Sequence, residues 1–172
     1  MSNVQVRILH CPDKRFRPYI ISAINFYATE LLASQKLFVK IKFQKLEDNI
    51  LAETGPINKR QSPRRCTNID LRTFEILISP GLTASTIFTS LAHEMVHIKQ
   101  FVLKELNYEG ICWKGEPLPL DYYDDPSEIE AYGREVGLYH KYKCKEKLWT
   151  VFQNISNPEV QHSNPPATIQ WR

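Results

Sequence analysis

Hydrophobic and polar residues alternate at the start of the chain. Val4, Val6 and Ile8 are separated by Gln5 and Arg7, a period of two that predicts a strand with one buried face. From Arg17 to Ala33 the period lengthens: Ile20, Ile24, Tyr27 and Leu31 recur at helical spacing, which predicts a packing helix. Alternation returns from Leu37 to Leu46. Val39, Ile41 and Phe43 fall on one side and lysines on the other, the pattern of a strand with a solvent face. Thr67 to Ile69 and Thr73 to Ser79 predict two more strands, arranged as a hairpin around Asp70 to Arg72. Pro80-Gly81 breaks the second, and Thr83 is placed to cap a helix running to Leu106. A last helix is expected from Pro126 to about Lys145. After Asn154 the chain is rich in Asn, Ser, Gln and Pro with few apolar residues, so 154–172 is expected to be a flexible tail behind one domain over 1–153. There is no internal repeat. Strands and helices in this order and number imply an α+β domain.

The Thr83–Leu106 segment carries the chemistry. His93-Glu94-Met95-Val96-His97 is an HExxH motif. Residues i and i+4 of a helix share a face, so both imidazoles can reach one Zn²⁺. The glutamate next to the first histidine can act as general base on a metal-activated water. Each residue turns the helix by about 100°. With His93 at zero, Thr86, Ser90, His97, Gln100 and Lys104 gather on its side, while Phe88, Leu91, Met95, Val102 and Leu106 gather opposite. The histidines therefore sit on a polar stripe backed by an apolar one, as on the floor of a cleft. The competing reading is a surface helix with two solvated histidines, and Gln100 and Lys104 are expected to be solvated or to line a rim.

A catalytic zinc site needs a third protein ligand. Gln100 and Leu103 stand where HExxHxxGxxH would require Gly and His, which excludes that pattern. The Asp125–Tyr132 segment offers Glu128 and Glu130. On a helix starting at Pro126, Glu128 shares a face with Tyr132, Glu135 and Tyr139, flanked by Ile129 and Val136 on one side and Ala131 and Leu138 on the other. That points Glu128 inward, where a carboxylate must be paired or bind a metal. Glu130 lies about 200° away, beside Arg134, Gly137 and Lys141, on a face expected to be solvated. Glu128 is thus the candidate ligand. Asp125 as N-cap, Pro126 at N1 and Glu128 at N3 also spell a capping box, which would account for Glu128 without metal. Glu135 could orient a ligand histidine through its free ring N–H or make a plain buried ion pair. Tyr132, one turn beyond Glu128, is a candidate oxyanion donor. Tyr122, Tyr123, Tyr139 and His140 are within plausible reach of the site.

HExxH followed by Glu128-Ile129-Glu130-Ala131 on a later helix, with Cys112-Trp113-Lys114-Gly115 as a short hairpin between them, resembles the small gluzincin-type metallopeptidases. The likeness is to the SprT-like and minigluzincin group of phage and bacterial genomes, and it covers roughly residues 70–140. The resemblance implies a compact zincin-like fold: a small mixed or antiparallel sheet packed on an HExxH helix and a following glutamate helix. It also implies Zn²⁺ held by His93, His97 and Glu128, Glu94 as base, and an edge strand that holds extended substrate. The chain departs from SprT proteins in lacking a downstream CxxC ribbon, which weakens any DNA-associated role.

Composition narrows the rest. The net charge of +3 over 172 residues is too small to imply nucleic acid. Cys11, Cys66, Cys112 and Cys144 form no CxxC pair and are expected to be reduced thiols. The Asn58–Arg65 segment holds Lys59, Arg60, Arg64 and Arg65. It is expected to be a solvated loop, with an anionic partner as the alternative. No apolar run approaches a membrane span, and the N-terminus lacks a signal-peptide core. The expectation is a cytoplasmic, monomeric zinc metallopeptidase, the cytoplasm of an infected host cell included, acting on peptides or proteins. The alternative is a zinc-binding structural or regulatory protein without turnover.

Overall fold

The computed structural model describes residues 3–33, 35–47, 50–57, 72–119, 121 and 124–148. The basic segment 58–65, the expected strand 67–69, Cys66, Tyr122, Tyr123 and the tail 154–172 lie outside the described residues. β1 (Asn3–Leu9), β2 (Lys36–Phe43) and β4 (Thr73–Ile78) are the three alternating segments. α1 (Arg17–Leu32) starts with Pro18 in its first turn, where a missing N–H costs nothing. α2 (Ala84–Val102) is capped by Thr83, whose hydroxyl accepts from the Thr86 N–H. α3 (Pro126–Glu146) is capped by Asp125, whose carboxylate accepts from the Ser127 N–H.

The sheet order is β1-β2-β4-β3, where β3 (Ala52–Pro56) is a strand the hydrophobic pattern does not announce. β1, β2 and β4 run parallel, and β3 runs antiparallel to β4. The antiparallel neighbour of β4 is therefore β3; the strand 67–69 expected as its hairpin partner lies outside the described residues. β2 and β3 already occupy both sides of β4. The molecule is α+β with a small mixed sheet.

One face of the sheet is apolar. Val39, Ile41, Phe43, Phe74, Ile76 and Ile78 are buried and join residues of α1, α2 and α3 in one core. α2 lies against β3, β4 and α1, and α3 packs along α2. Two tyrosines tie the helices: the Tyr27 hydroxyl donates to the Phe88 carbonyl at 3.1 Å, and the Tyr142 hydroxyl to the Tyr19 carbonyl at 2.7 Å. The other face of the sheet carries Lys40 and Glu75, paired at 2.7 Å.

α2 ends four residues before the expected Leu106. Lys104 takes a positive φ of 60°, and the N–H groups of Glu105 and Leu106 both close on the Gln100 carbonyl. This satisfies the helix C-terminus without the glycine that usually marks it in sequence. Lys114 and Gly115, at φ 49° and 94°, turn the short hairpin of β5 (Cys112–Trp113) and β6 (Glu116–Pro117). Two positive φ values are what a tight two-residue hairpin turn requires. Among the described residues no helix is long and apolar enough to cross a membrane.

Candidate metal centre

α2 is buried on nearly every side: each residue from Glu94 to Phe101 is buried. The histidine-bearing side is thus not a solvated stripe. It is roofed by the first two turns of α3, and a cleft of about 680 Å³ opens beside it, walled by α2, α3 and β3.

His93 and His97 project one turn apart, as the i, i+4 spacing requires. Their Nε2 atoms lie 3.1 Å apart. The Glu128 carboxylate closes the triangle, one oxygen 3.3 Å from His93 Nε2 and the other 3.3 Å from His97 Nε2. Among the described residues, these three are the group of metal-binding type whose ligand atoms converge. A tetrahedral zinc with bonds of about 2.0–2.1 Å has ligand–ligand edges of about 3.3–3.4 Å, so the triangle fits one face of such a site. Glu128 keeps the N3 position of the cap while its carboxylate faces the histidines.

The other ring nitrogens decide which atoms face inward. His93 Nδ1 lies 2.8 Å from Glu135 Oε2. His97 Nδ1 lies 2.9 Å from Gln100 Oε1. The Gln100 amide cannot be flipped, because its Nε2 donates to the Ser127 carbonyl at 2.9 Å and to Glu130, and a carbonyl only accepts. Both Nδ1 atoms therefore carry the proton, and both Nε2 lone pairs face the Glu128 oxygens. Three acceptors at such distances repel one another unless a cation sits among them. Burial disfavours charge on both histidines, yet the hydrogen bonds that the protonated rings donate to Glu128 and the nearby Glu94 charge outweigh it, and both pKa values rise above the ordinary range.

Glu94 points into the cleft and is 4% exposed. Burial pushes its carboxyl up to about 7, with the histidines opposing and Glu128 and Glu53 adding to the rise. A base near neutral pH is the useful kind. Tyr132 stands on the cleft wall, 53% exposed, its ring edge-on to His93 at 4.7 Å.

Several expectations need correction. Ile129 and Val136 do not flank an inward face: they are 57% and 52% exposed. The buried line of α3 runs Ser127, Ala131, Leu138, Tyr142, with Glu128 and Glu135 at its border. Small Ser127 and Ala131 let α3 approach α2 closely, which the wheel of apolar residues does not weigh. Glu130 is not on a solvated face. It takes the buried Lys99 ammonium at 2.8 Å, Arg134 at 3.0 Å and the Gln100 amide at 3.2 Å. Gln100, fully buried, is neither solvated nor on a rim, and it holds His97 in place. Its signal in the sequence is its spacing, i+3 from His97 on the histidine face. Tyr139 is buried away from the cleft and His140 is exposed; neither lines it. Cys11, Cys112 and Cys144 are free thiols.

Compared with models of protein families, with curated proteins and with solved structures, the chain matches none.

Proposed function

We propose that the protein is a zinc-dependent metallopeptidase of the compact HExxH kind, with a zincin-like arrangement of sheet and helices. The observation that carries this reading is the convergence of His93 Nε2, His97 Nε2 and the Glu128 carboxylate, each 3.1–3.3 Å from the next, beside a buried Glu94 that opens into a cleft. A site closed by four protein ligands would be structural, whereas three ligands beside a cleft leave room for chemistry.

His93, His97 and Glu128 would hold the ion. Bound there, zinc supplies Lewis acidity, polarising a substrate carbonyl and acidifying water. Glu94 takes the proton from the attacking water and returns it to the departing amine nitrogen. Glu135 and Gln100 keep both imidazoles in the Nδ1–H tautomer. Tyr132, against His93 at the cleft wall, is the candidate donor to the developing oxyanion.

The test is metal content by elemental mass spectrometry on the tag-free protein, followed by peptide hydrolysis. One equivalent of zinc with hydrolysis that disappears in Glu94→Gln is the expected result. One equivalent of zinc with no hydrolysis of a broad peptide mixture would favour a structural or regulatory zinc protein. Failure to take up zinc from a modest excess would overturn the metal site itself.

A further inference from the structure

The cleft has a charge bias that the reaction does not need. The chain carries 22 Lys and Arg against 19 Asp and Glu. Yet the cleft is lined by Glu53, Glu94, Asp125, Glu128 and Glu135, and among the described residues by no Lys or Arg. Glu128 and Glu135 face the histidines, and Asp125 caps α3. Glu94, nearly fully buried, opens into the cleft. Glu53 is the carboxylate left over. It sits exposed on β3, close enough for its charge to raise the pKa of Glu94, and no described cation pairs with it.

The register of β3 says what Glu53 would meet. The Ile57 N–H donates to the Thr73 carbonyl, and the Ser79 N–H to the Leu51 carbonyl. In an antiparallel ladder hydrogen-bonded pairs alternate with non-bonded ones, so Leu51, Glu53, Gly55 and Ile57 direct their backbone groups toward β4. Ala52 and Thr54 direct theirs outward, to an edge with no strand beside it among the described residues. A peptide added there would bond to Ala52 and Thr54, and one of its side chains would stand opposite Glu53 on the outer face of the sheet. On that face, beside Glu53, lies a depression of about 390 Å³ lined by Leu77, Gly55, Pro56, Ile57 and Glu75. Gly55 leaves it open, since a Cβ there would touch nothing within 4 Å. Glu75 is held by Lys40, so an aliphatic floor with the Glu53 carboxylate at its rim is what remains, and it fits a long apolar stem ending in a cation.

We propose that the cleft selects extended peptides with Lys or Arg at the position facing Glu53, the stem lying over Leu77 and Gly55 and the charged head reaching Glu53. This rests on the peptidase reading, which gives the edge strand its use.

The test separates binding from turnover. Glu94→Gln protein, supplied with one equivalent of zinc, is titrated with capped eight-residue Ala/Thr peptides carrying one Lys at each position in turn, and with norleucine in its place. At one position Lys should bind about fivefold tighter than norleucine, the scale of a cross-strand charge pair. Adding Glu53→Gln should remove that gap, and adding Gly55→Val should weaken the Lys peptide by filling the depression. Equal binding of Lys and norleucine at every position overturns the inference, and so does a Lys preference that survives loss of Glu53. The same peptides are then offered to zinc-loaded wild type. A preference that depends on Glu53 without any cleavage keeps the basic-peptide site and counts against the peptidase reading. Cleavage without a basic preference does the reverse.

Discussion

The two walls of the cleft are built on opposite plans. The helical wall, α2 with the start of α3, is buried and densely bonded: His93 to Glu135, His97 to Gln100, and Gln100 to Ser127 and Glu130. Each imidazole has a side-chain partner on Nδ1, and that of His97 is itself held by two further bonds. The strand wall is β3, an edge with half-exposed side chains whose outward backbone groups are those of Ala52 and Thr54. A metal centre needs positions held within fractions of an ångström, which only a packed interior supplies. A recognition edge needs backbone donors and acceptors left open to a partner. On the proposed reading, placing the two across one cleft would let each meet its own requirement.

That division can be broken by substitution. Glu94→Gln should retain one equivalent of zinc while lowering kcat by about 10²–10⁴-fold, read by metal analysis and hydrolysis on the same sample. Loss of zinc in that variant would mean that Glu94 belongs to the scaffold of the helical wall. Gln100→Leu removes the acceptor for His97 Nδ1 and the side-chain donor to the Ser127 carbonyl and to Glu130. Zinc affinity should fall by about 10–100-fold, and the fold should lose about 1–3 kcal/mol from the buried groups left unpaired. Competition with a chelator and a denaturation midpoint measure the two effects, and unchanged affinity would remove Gln100 from the site.

Thr54→Pro probes the other wall. It deletes an outward N–H without touching the metal, so kcat/KM should drop by about tenfold, the worth of one or two hydrogen bonds, at unchanged zinc content. A fall in zinc would show that the walls are not separable. The smallest effect is expected for Glu130→Ala. It acts on His97 only through Gln100, so zinc affinity should weaken by a few-fold, less than in Gln100→Leu. An effect as large as that of Glu128→Ala would make Glu130 a ligand rather than a support.

The walls also differ in how well the sequence announces them. HExxH places two imidazoles on one helical face by local geometry, and Thr83, Asp125 and Pro126 mark where the helices begin. The Glu128 position follows from the same periodicity, although Ile129 and Val136, taken as evidence that its face points inward, are exposed. β3 is Ala-Glu-Thr-Gly-Pro, with neither alternation nor β-branched enrichment. Its strand conformation comes from pairing with β4, and its closing proline is tolerated because it stands on an edge.

By itself, then, the sequence determined the helical and strand periods of α1, α2, α3, β1, β2 and β4, the α+β class, and the positions of the candidate residues His93, Glu94, His97 and Glu128 on their own helices, because each depends on spacings within one element. The tertiary structure decided the rest. It placed β4 between β2 and β3, buried Gln100 against His97, turned Glu130 from solvent to Lys99, and left Glu53 on an open edge. Those facts depend on which element lies beside which, and a periodic pattern states only that a face is apolar, not what covers it.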